Sequence, residues 1–272
     1  MQNQLMTEKI PSVCDSQYHI EWDMANYPSI ITPYHWQQPQ GLYAKIKPLL
    51  DRIAAVILLV LTAPLILALA CIVKLTSHGP AFYSQMRVGL YGRTFRLYKI
   101  RTMYHACEAS TGPRWSTPGD KRVTWVGRFL RKSHLDELPQ LINIIRGEMS
   151  LIGPRPERPE IIPDLERKIA HYRSRLLVRP GVTGFAQVQL APDTCVEEVR
   201  TKLAYDLFYV RSQSLWFDLV LAFATACHFV GAGPRLIRKI CRLPKAATVI
   251  RSYQDLIRWN ATTNPRSTPC SV

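Results

Sequence analysis

Residues 53–73 read IAAVILLVLTAPLILALACIV, twenty-one positions without a charged side chain. A helix needs about 20 apolar residues to cross the hydrocarbon core of a bilayer, and this run meets that length. A buried helix of a soluble protein fits poorly with such a length and no charge at all. Pro64 sits at the centre of the run. Inside a helix it removes a backbone hydrogen bond and crowds the preceding turn, so a kink is expected there. Cations flank both ends: Lys45, Lys47 and Arg52 before it, then Lys74, Arg87, Arg93 and Arg96 after it. A spanning helix carries its cations mainly on one side. Two basic flanks therefore predict a re-entrant helix that enters and leaves by one face, with a kinked span as the alternative. A second apolar stretch, residues 215–230, contains Asp218 and His228. Charge is costly in hydrocarbon, so this stretch reads as a helix on the membrane surface or packed in the core.

The chain has 272 residues, a formal net charge of +15 and a pI of about 9.7. That length allows one domain with extensions. The excess of cations favours a polyanionic partner: nucleic acid, anionic lipid or a nucleotide. Seven cysteines (Cys14, Cys71, Cys107, Cys195, Cys227, Cys241, Cys270) are scattered, odd in number and without a C-x-x-C pair. They suggest neither a zinc site nor a disulfide framework, and fit a reducing, cytosol-facing chain. The first 44 residues show no signal-peptide pattern and read as a polar, partly disordered extension. The division expected is an extension over 1–44, the membrane helix over 45–76, a globular domain over 77–232 and a basic C-terminal extension over 233–272.

Beyond Lys74 the pattern changes. Residues 81–85 and 94–100 have aromatic, alternating character and read as strands, with 88–93 as a hairpin turn. Residues 105–120 read as a loop. Helical spacing recurs over 124–131 and 137–145, and charged helices are expected over 163–177 and 196–210. There is no internal repeat and no Gly-rich phosphate loop. After Gly233, Arg235, Arg238, Lys239, Arg242 and Lys245 alternate with Leu236, Ile237, Ile240 and Leu243. This segment suits either an anionic leaflet or a solvated basic tail.

The chemistry is concentrated in Ser133-His134-Leu135-Asp136-Glu137-Leu138-Pro139. Proline belongs in a first helical turn, so Pro139 predicts a helix starting near Asp136. Asp136 would then stand at the positive end of that helix, where phosphate also binds, with Arg128, Arg131 and Lys132 just before it. A carboxylate there can hold a divalent ion or attack phosphorus. Ser133-x-x-Asp136 is also an ordinary capping box. Arg155 lies between Pro154 and Pro156, with Glu157 and Arg158 behind it, and the rigid backbone suits a fork-shaped contact to phosphate. Lys99 and Arg101, two apart at a strand end, should share a face.

Together these segments resemble one family, the bacterial sugar transferases, monotopic polyprenyl-phosphate hexose-1-phosphate transferases also called phosphoglycosyl transferases. The resemblance runs over about 45–229. It takes in Asp51-Arg52, Pro64, the stretch from Gly79 to Gly89, Tyr98-Lys99-Ile100-Arg101-Thr102-Met103 and Leu130-Arg131-Lys132. It continues through Leu135-Asp136-Glu137-Leu138-Pro139-Gln140, the stretches from Gly147 to Pro156 and from Arg179 to Val188, Tyr205-Asp206 and Asp218-Leu219.

The resemblance implies an α/β fold: a compact catalytic domain on the cytoplasmic face of the bacterial inner membrane, an N-terminal re-entrant helix and surface amphipathic helices. It implies an enzyme, a phosphotransferase that moves a sugar 1-phosphate from a UDP-sugar to undecaprenyl or another polyprenyl phosphate, releasing UMP, with Mg²⁺ or Mn²⁺. The product would begin an exopolysaccharide, capsule or O-antigen and pass to downstream glycosyltransferases. Asp136 would attack the β-phosphorus and contact the metal, and Glu137 would support the metal or proton transfer. Arg131 would contact phosphate, and Arg155 would stand near the nucleotide. Lys99, Arg101 and Arg158 are further candidates for phosphate contact. Anionic lipid is an expected partner and nucleic acid is not; a homo-oligomer is left open.

The pattern departs from the family at Ala63-Pro64 for Ser-Pro, Lys47-Pro48 for Lys-Arg, Ser133-His134 for Thr-Ser, and Glu148 for Asp. Larger relatives carry further membrane helices and another domain ahead of this core, so the chain reads as a small, catalytic-core form. Two rivals stand beside this reading. One is an enzyme moving the sugar without its phosphate, which would release UDP. The other is a non-catalytic basic membrane adaptor.

Overall fold

In the computed structural model, which describes residues 41–107, 119–191 and 196–263, the apolar run lies inside one helix, α1 (Leu42–Thr76). It continues through Pro48 and Pro64 without interruption. At 1.5 Å per residue its 35 residues extend about 52 Å, more than the thickness of a bilayer core. It is the one described helix long and apolar enough to cross a membrane. Pro64 leaves one carbonyl of the preceding turn without its donor. Nearby, the Thr62 hydroxyl donates to the Leu58 carbonyl at 2.7 Å.

One face of α1 is buried along most of its length, through Lys47, Asp51, Ala55, Ile66, Leu69, Ala70 and Val73. Steps of three and four residues put these positions on one side of a helix. Ala55 packs with Phe95, Leu97, Leu141, Ile144 and Met149. Leu69 and Val73 pack with Ile100, Val126 and Leu130. The other face exposes Ile53, Val56, Ile57, Val60, Leu61, Leu67 and Ile72.

The expected hairpin is present. β1 (Phe82–Val88) and β2 (Thr94–Ile100) pair antiparallel in register from Phe82 with Ile100 to Val88 with Thr94. A single 3-10 turn, Leu90–Gly92, joins them, with Tyr91 and Gly92 at positive φ. α2 (Trp125–Ser133) follows, capped by the Thr124 hydroxyl, which accepts from the Gly127 N–H at 2.9 Å. A Cβ at Gly127 would lie 1.9 Å from the Thr102 carbonyl oxygen, so only glycine lets α2 close against the end of β2. A 3-10 turn, Leu135–Gln140, leads into the short α3 (Leu141–Ile145). β3 (Ser150–Ile152) pairs parallel with β4 (Gly181–Thr183).

The single charged helix expected over 163–177 is instead α4 (Ile162–Lys168) and a 3-10 turn, Tyr172–Leu177. Ile169 turns extended and His171 adopts a left-handed conformation, which ends the helical path. α5 (Phe185–Gln189), α6 (Val196–Ser212), α7 (Leu215–Phe229), α8 (Pro234–Ile240) and α9 (Ala246–Thr263) complete the described residues. The largest core joins α4 to α9 around Tyr172, Phe185, Leu203, Tyr205, Tyr209 and Leu221. Ile237 and Val249 are fully buried in it, so α8 and the start of α9 pack as part of the same unit rather than as a loose tail. α7 is half-buried, as its mixed sequence predicted: Asp218, Leu221 and Ala224 face inward.

The residues read as a disordered extension lie, up to position 40, outside the described residues, as do Cys14, Cys195, Cys270 and most of the 105–120 loop. Cys71, Cys107, Cys227 and Cys241 are free thiols.

Candidate active site

The Asp-Glu pair is carried by the 3-10 turn, not by the start of an α-helix. The Glu137 N–H bonds the His134 carbonyl at 3.1 Å, an i to i−3 closure. Proline at 139 has no N–H, so it donates no backbone bond within this turn. Ser133 does not cap it. Its hydroxyl donates back to the Phe129 and Leu130 carbonyls of α2, so the capping-box reading does not hold here. His134 enters the turn at φ 54°, and its ring rests 5.7 Å from the Phe229 ring at the end of α7.

Both carboxylates are buried, Asp136 at 6% and Glu137 at 7% exposure. Their surroundings differ. Glu137 Oε1 accepts from Lys99 Nζ at 2.7 Å and from Arg155 Nη2 at 2.7 Å. Burial alone would raise its pKa, but Arg155 and Lys99 outweigh burial and hold the carboxyl well below the usual range. Glu137 is therefore an anchor that holds two cations. Among the described residues the one polar partner of Asp136 is Lys99 Nζ, at 3.9 Å, too long for a hydrogen bond. Burial raises the pKa of Asp136 and Glu137 adds to this, while Lys99, Arg131 and Arg155 oppose it. The result is a more basic carboxylate with free lone pairs, facing three cations.

Arg131 is held by its Nε, which donates to Thr102 Oγ1 at 2.8 Å, close to the backbone on which Gly127 packs. The Arg155 carbonyl accepts from Arg175 Nη2 at 2.9 Å. Arg175 is itself buried, 2.8 Å from Asp206 and 2.8 Å from the Tyr172 hydroxyl. Beside it, Glu157 is held at about 2: burial opposes this, but Lys202, Arg175, Arg87 and Arg155 prevail. Arg87 braces the same turn, donating to the Pro156 carbonyl at 3.1 Å.

The structure thus brings together Asp136, Glu137, Lys99, Arg131 and Arg155. It directs the other two candidates elsewhere. Arg101 donates to the Ser77 carbonyl and Ser77 Oγ, each at 2.8 Å, and to the His78 carbonyl. It closes the C-terminal end of α1 and faces away from the dyad, despite its strand spacing from Lys99. Arg158 pairs at 3.4 Å with Glu160. Arg87, Arg175 and Asp206, which shape the Arg155 turn, were not singled out from sequence as site residues. Their signal is a buried charge that only the folded contacts reveal.

The donor set bears on a metal. Among the described residues no cluster of three His, Cys, Asp or Glu could form a protein cage. Within the dyad, both oxygens of Asp136 and Oε2 of Glu137 are free of hydrogen bonds to the described residues. This fits a hard divalent ion that keeps most of its coordination from water and substrate phosphate.

The family model for bacterial sugar transferase matches residues 42–232. A UDP-N-acetylgalactosamine-undecaprenyl-phosphate N-acetylgalactosaminephosphotransferase of Aeromonas hydrophila is 43% identical over 187 residues, covering 69% of this chain and 44% of that protein. A UDP-glucose:undecaprenyl-phosphate glucose-1-phosphate transferase of Xanthomonas campestris pv. campestris is 43% identical over 189 residues, covering 68% and 39%. One of the same name from Caulobacter vibrioides is 45% identical over 181 residues, covering 66% and 67%. The aligned part of the chain spans less than half the length of the first two relatives. The family match takes in α1, the hairpin and the Asp136–Arg155 site together, and the chain belongs to the bacterial sugar transferase family.

Proposed function

We propose that the chain transfers a hexose 1-phosphate from a UDP-sugar to a polyprenyl phosphate such as undecaprenyl phosphate, releasing UMP. One observation carries this reading: of two adjacent buried carboxylates, Glu137 is neutralised by Lys99 and Arg155, while Asp136 is left without a hydrogen bond beside them. An ionised carboxylate among cations is the arrangement a nucleophile needs to meet a diphosphate. An Asp136 oxygen forms a bond to the β-phosphorus, and the bond from that phosphorus to the bridging oxygen breaks. UMP departs with the electron pair. A phosphate oxygen of the lipid acceptor then attacks the same phosphorus, and the Asp136 carboxylate is restored. Lys99, Arg131 and Arg155 balance phosphate charge through both steps. A Mg²⁺ ion bound through Asp136 and substrate oxygens would supply further charge neutralisation. The relatives' names carry different hexoses at equal identity, so the reading is held to the UDP-hexose class.

The same reading places α1 in one leaflet, with both its ends on the cytoplasmic face of the inner membrane. What supports this is that both ends are fastened to one globular unit. Near the start, Lys47 lies 2.6 Å from Asp218, and Ser150 Oγ donates to Asp51 at 2.6 Å. Near the end, Leu69 and Val73 pack on β2 and α2, and Arg101 closes the last turn. A span would separate these two ends by a bilayer.

The test is a half-reaction. UDP-sugar and Mg²⁺ without lipid should release about one UMP per active site and leave the protein heavier by one hexose phosphate, as a covalent intermediate requires. Added polyprenyl phosphate should discharge the adduct. UMP that appears only once lipid is present would remove Asp136 as nucleophile. For topology, single-cysteine variants at Leu42 and Thr94 should be protected alike from an impermeant reagent in intact cells; opposite labelling would show a span.

A further inference from the structure

α8 (Pro234–Ile240) lies beyond the residues matched to the family. It is seated by Ile237, fully buried, and by Arg238, whose Nε donates to Gln189 Oε1 at 2.9 Å. The opposite side is a different surface. Arg235 and Lys239 are exposed, as are Leu236 and Ile240, each at 51%. Both pairs are four residues apart, so cations and aliphatic side chains lie side by side on one helical face. Arg242 and Lys245 follow, also exposed. No Asp or Glu occurs from residue 219 to residue 254. Among the described residues none of Arg235, Lys239, Arg242 or Lys245 has an acidic partner.

A second exposed apolar surface lies just before it in the chain. α7 reaches α8 through Gly231-Ala232-Gly233 and exposes Trp216, Leu219, Phe223 and Phe229, a stripe at helical spacing. α7 in turn is joined to the base of α1 through Asp218 and Lys47. An exposed apolar stripe on α7 is thus followed along the chain by a patch of cations, without acidic partners among the described residues, set among aliphatic side chains. We propose that the exposed face of α8, with Arg242 and Lys245, is a docking surface for anionic bilayer lipid, a second foothold in addition to α1. The Lys and Arg stems lie along the acyl boundary while their charges meet lipid phosphate, and Leu236 and Ile240 insert between headgroups. This rests on the reading of α1 as a membrane helix and goes beyond the proposed reaction.

The test uses the full-length protein in nanodiscs, with nitroxide labels on single cysteines placed by Leu236→Cys or Ile240→Cys. Leu61→Cys on α1 and Arg167→Cys on α4 serve as immersed and aqueous references. In phosphatidylglycerol-rich discs the 236 and 240 labels should be accessible to oxygen and shielded from an aqueous nickel chelate. In pure phosphatidylcholine they should move toward the aqueous reference. The exposed-site double variant Arg235→Glu/Lys239→Glu should do the same in anionic discs, with the Leu61 label unchanged and the melting temperature retained. Labels at 236 and 240 that stay aqueous in anionic discs while Leu61 is immersed overturn the proposal and leave the α1 reading standing. Equal immersion in both lipids overturns the charge-based docking. An aqueous Leu61 label overturns the membrane reading itself, and the docking with it.

Discussion

The ammonium of Lys47, on the long apolar helix α1, lies 2.6 Å from the carboxylate of Asp218 on α7, 171 residues later in the chain. Both groups are buried. Asp218 also accepts from Tyr43, and its other oxygen lies 2.7 Å from the Tyr209 hydroxyl, which in turn reaches the Ile152 carbonyl at 3.0 Å. One carboxylate thus ties α1, α7, α6 and β3 together beneath the site.

Asp218→Ala should therefore destabilise the protein by about 3 kcal/mol, because it leaves a buried cation short of its partner. Thermal unfolding in detergent is the measurement. Conversely, a melting temperature equal to wild type would show that Asp51 alone satisfies Lys47.

Asp136→Asn keeps the shape of the turn and removes the nucleophile. Transfer should fall by at least about 10³-fold, as for other enzymes that lose a covalent nucleophile. UMP release by the purified variant, with its melting temperature retained, reads this out; near-normal turnover would end the covalent mechanism.

Glu137→Gln removes the charge that holds both Lys99 and Arg155 at 2.7 Å. kcat/KM should fall about 10²-fold, the scale of losing a positioned electrostatic contact. The burst of one UMP per site should persist, since Asp136 remains. Loss of the burst itself would assign Glu137 a direct part in the first step.

Glu157 is held at about 2 in the folded protein, against 4.5 for an unperturbed carboxyl. A depressed pKa contributes stability that is present above the unfolded value and lost as pH falls toward the folded one. At 1.36 kcal/mol per pH unit, up to about 3 kcal/mol should disappear between pH 4.5 and 2. Glu157→Gln should be less stable than wild type at pH 6, with the gap closing as pH falls through this window. A gap constant with pH would show that packing, not charge, sets the loss.

Arg101→Ala should lower stability by about 2 kcal/mol, the scale of losing charge-assisted bonds to the end of α1. KM for the UDP-sugar should stay at the wild-type value. A raised KM with unchanged melting temperature would instead return Arg101 to the phosphate site.

The sequence alone determined what depends on short-range pattern. An uncharged run of twenty-one residues specified one long apolar helix, and α1 contains it. The alternation over 81–100 specified a hairpin, and the helical periods over 196–210 specified α6. The ordered motifs specified the family and marked Asp136 and Glu137. Local pattern failed where a few residues redirect the backbone: the charged helix ends at Ile169 and His171, and the dyad sits on a 3-10 turn. Only the tertiary structure decided how the two carboxylates differ, because Lys99 and Arg155 reach Glu137 from 38 and 18 residues away. Strand spacing put Lys99 and Arg101 on one face, yet one meets the dyad and the other closes α1, since which group each cation meets is set by the packing of α1 and α2 against β2. The same holds for residues 234–253, whose basic sequence resembles a tail until Ile237 and Val249 are seen buried in the core. Periodicity and composition record what a segment prefers; which charge is neutralised, and which is left to react, follows from contacts between segments that no local pattern encodes.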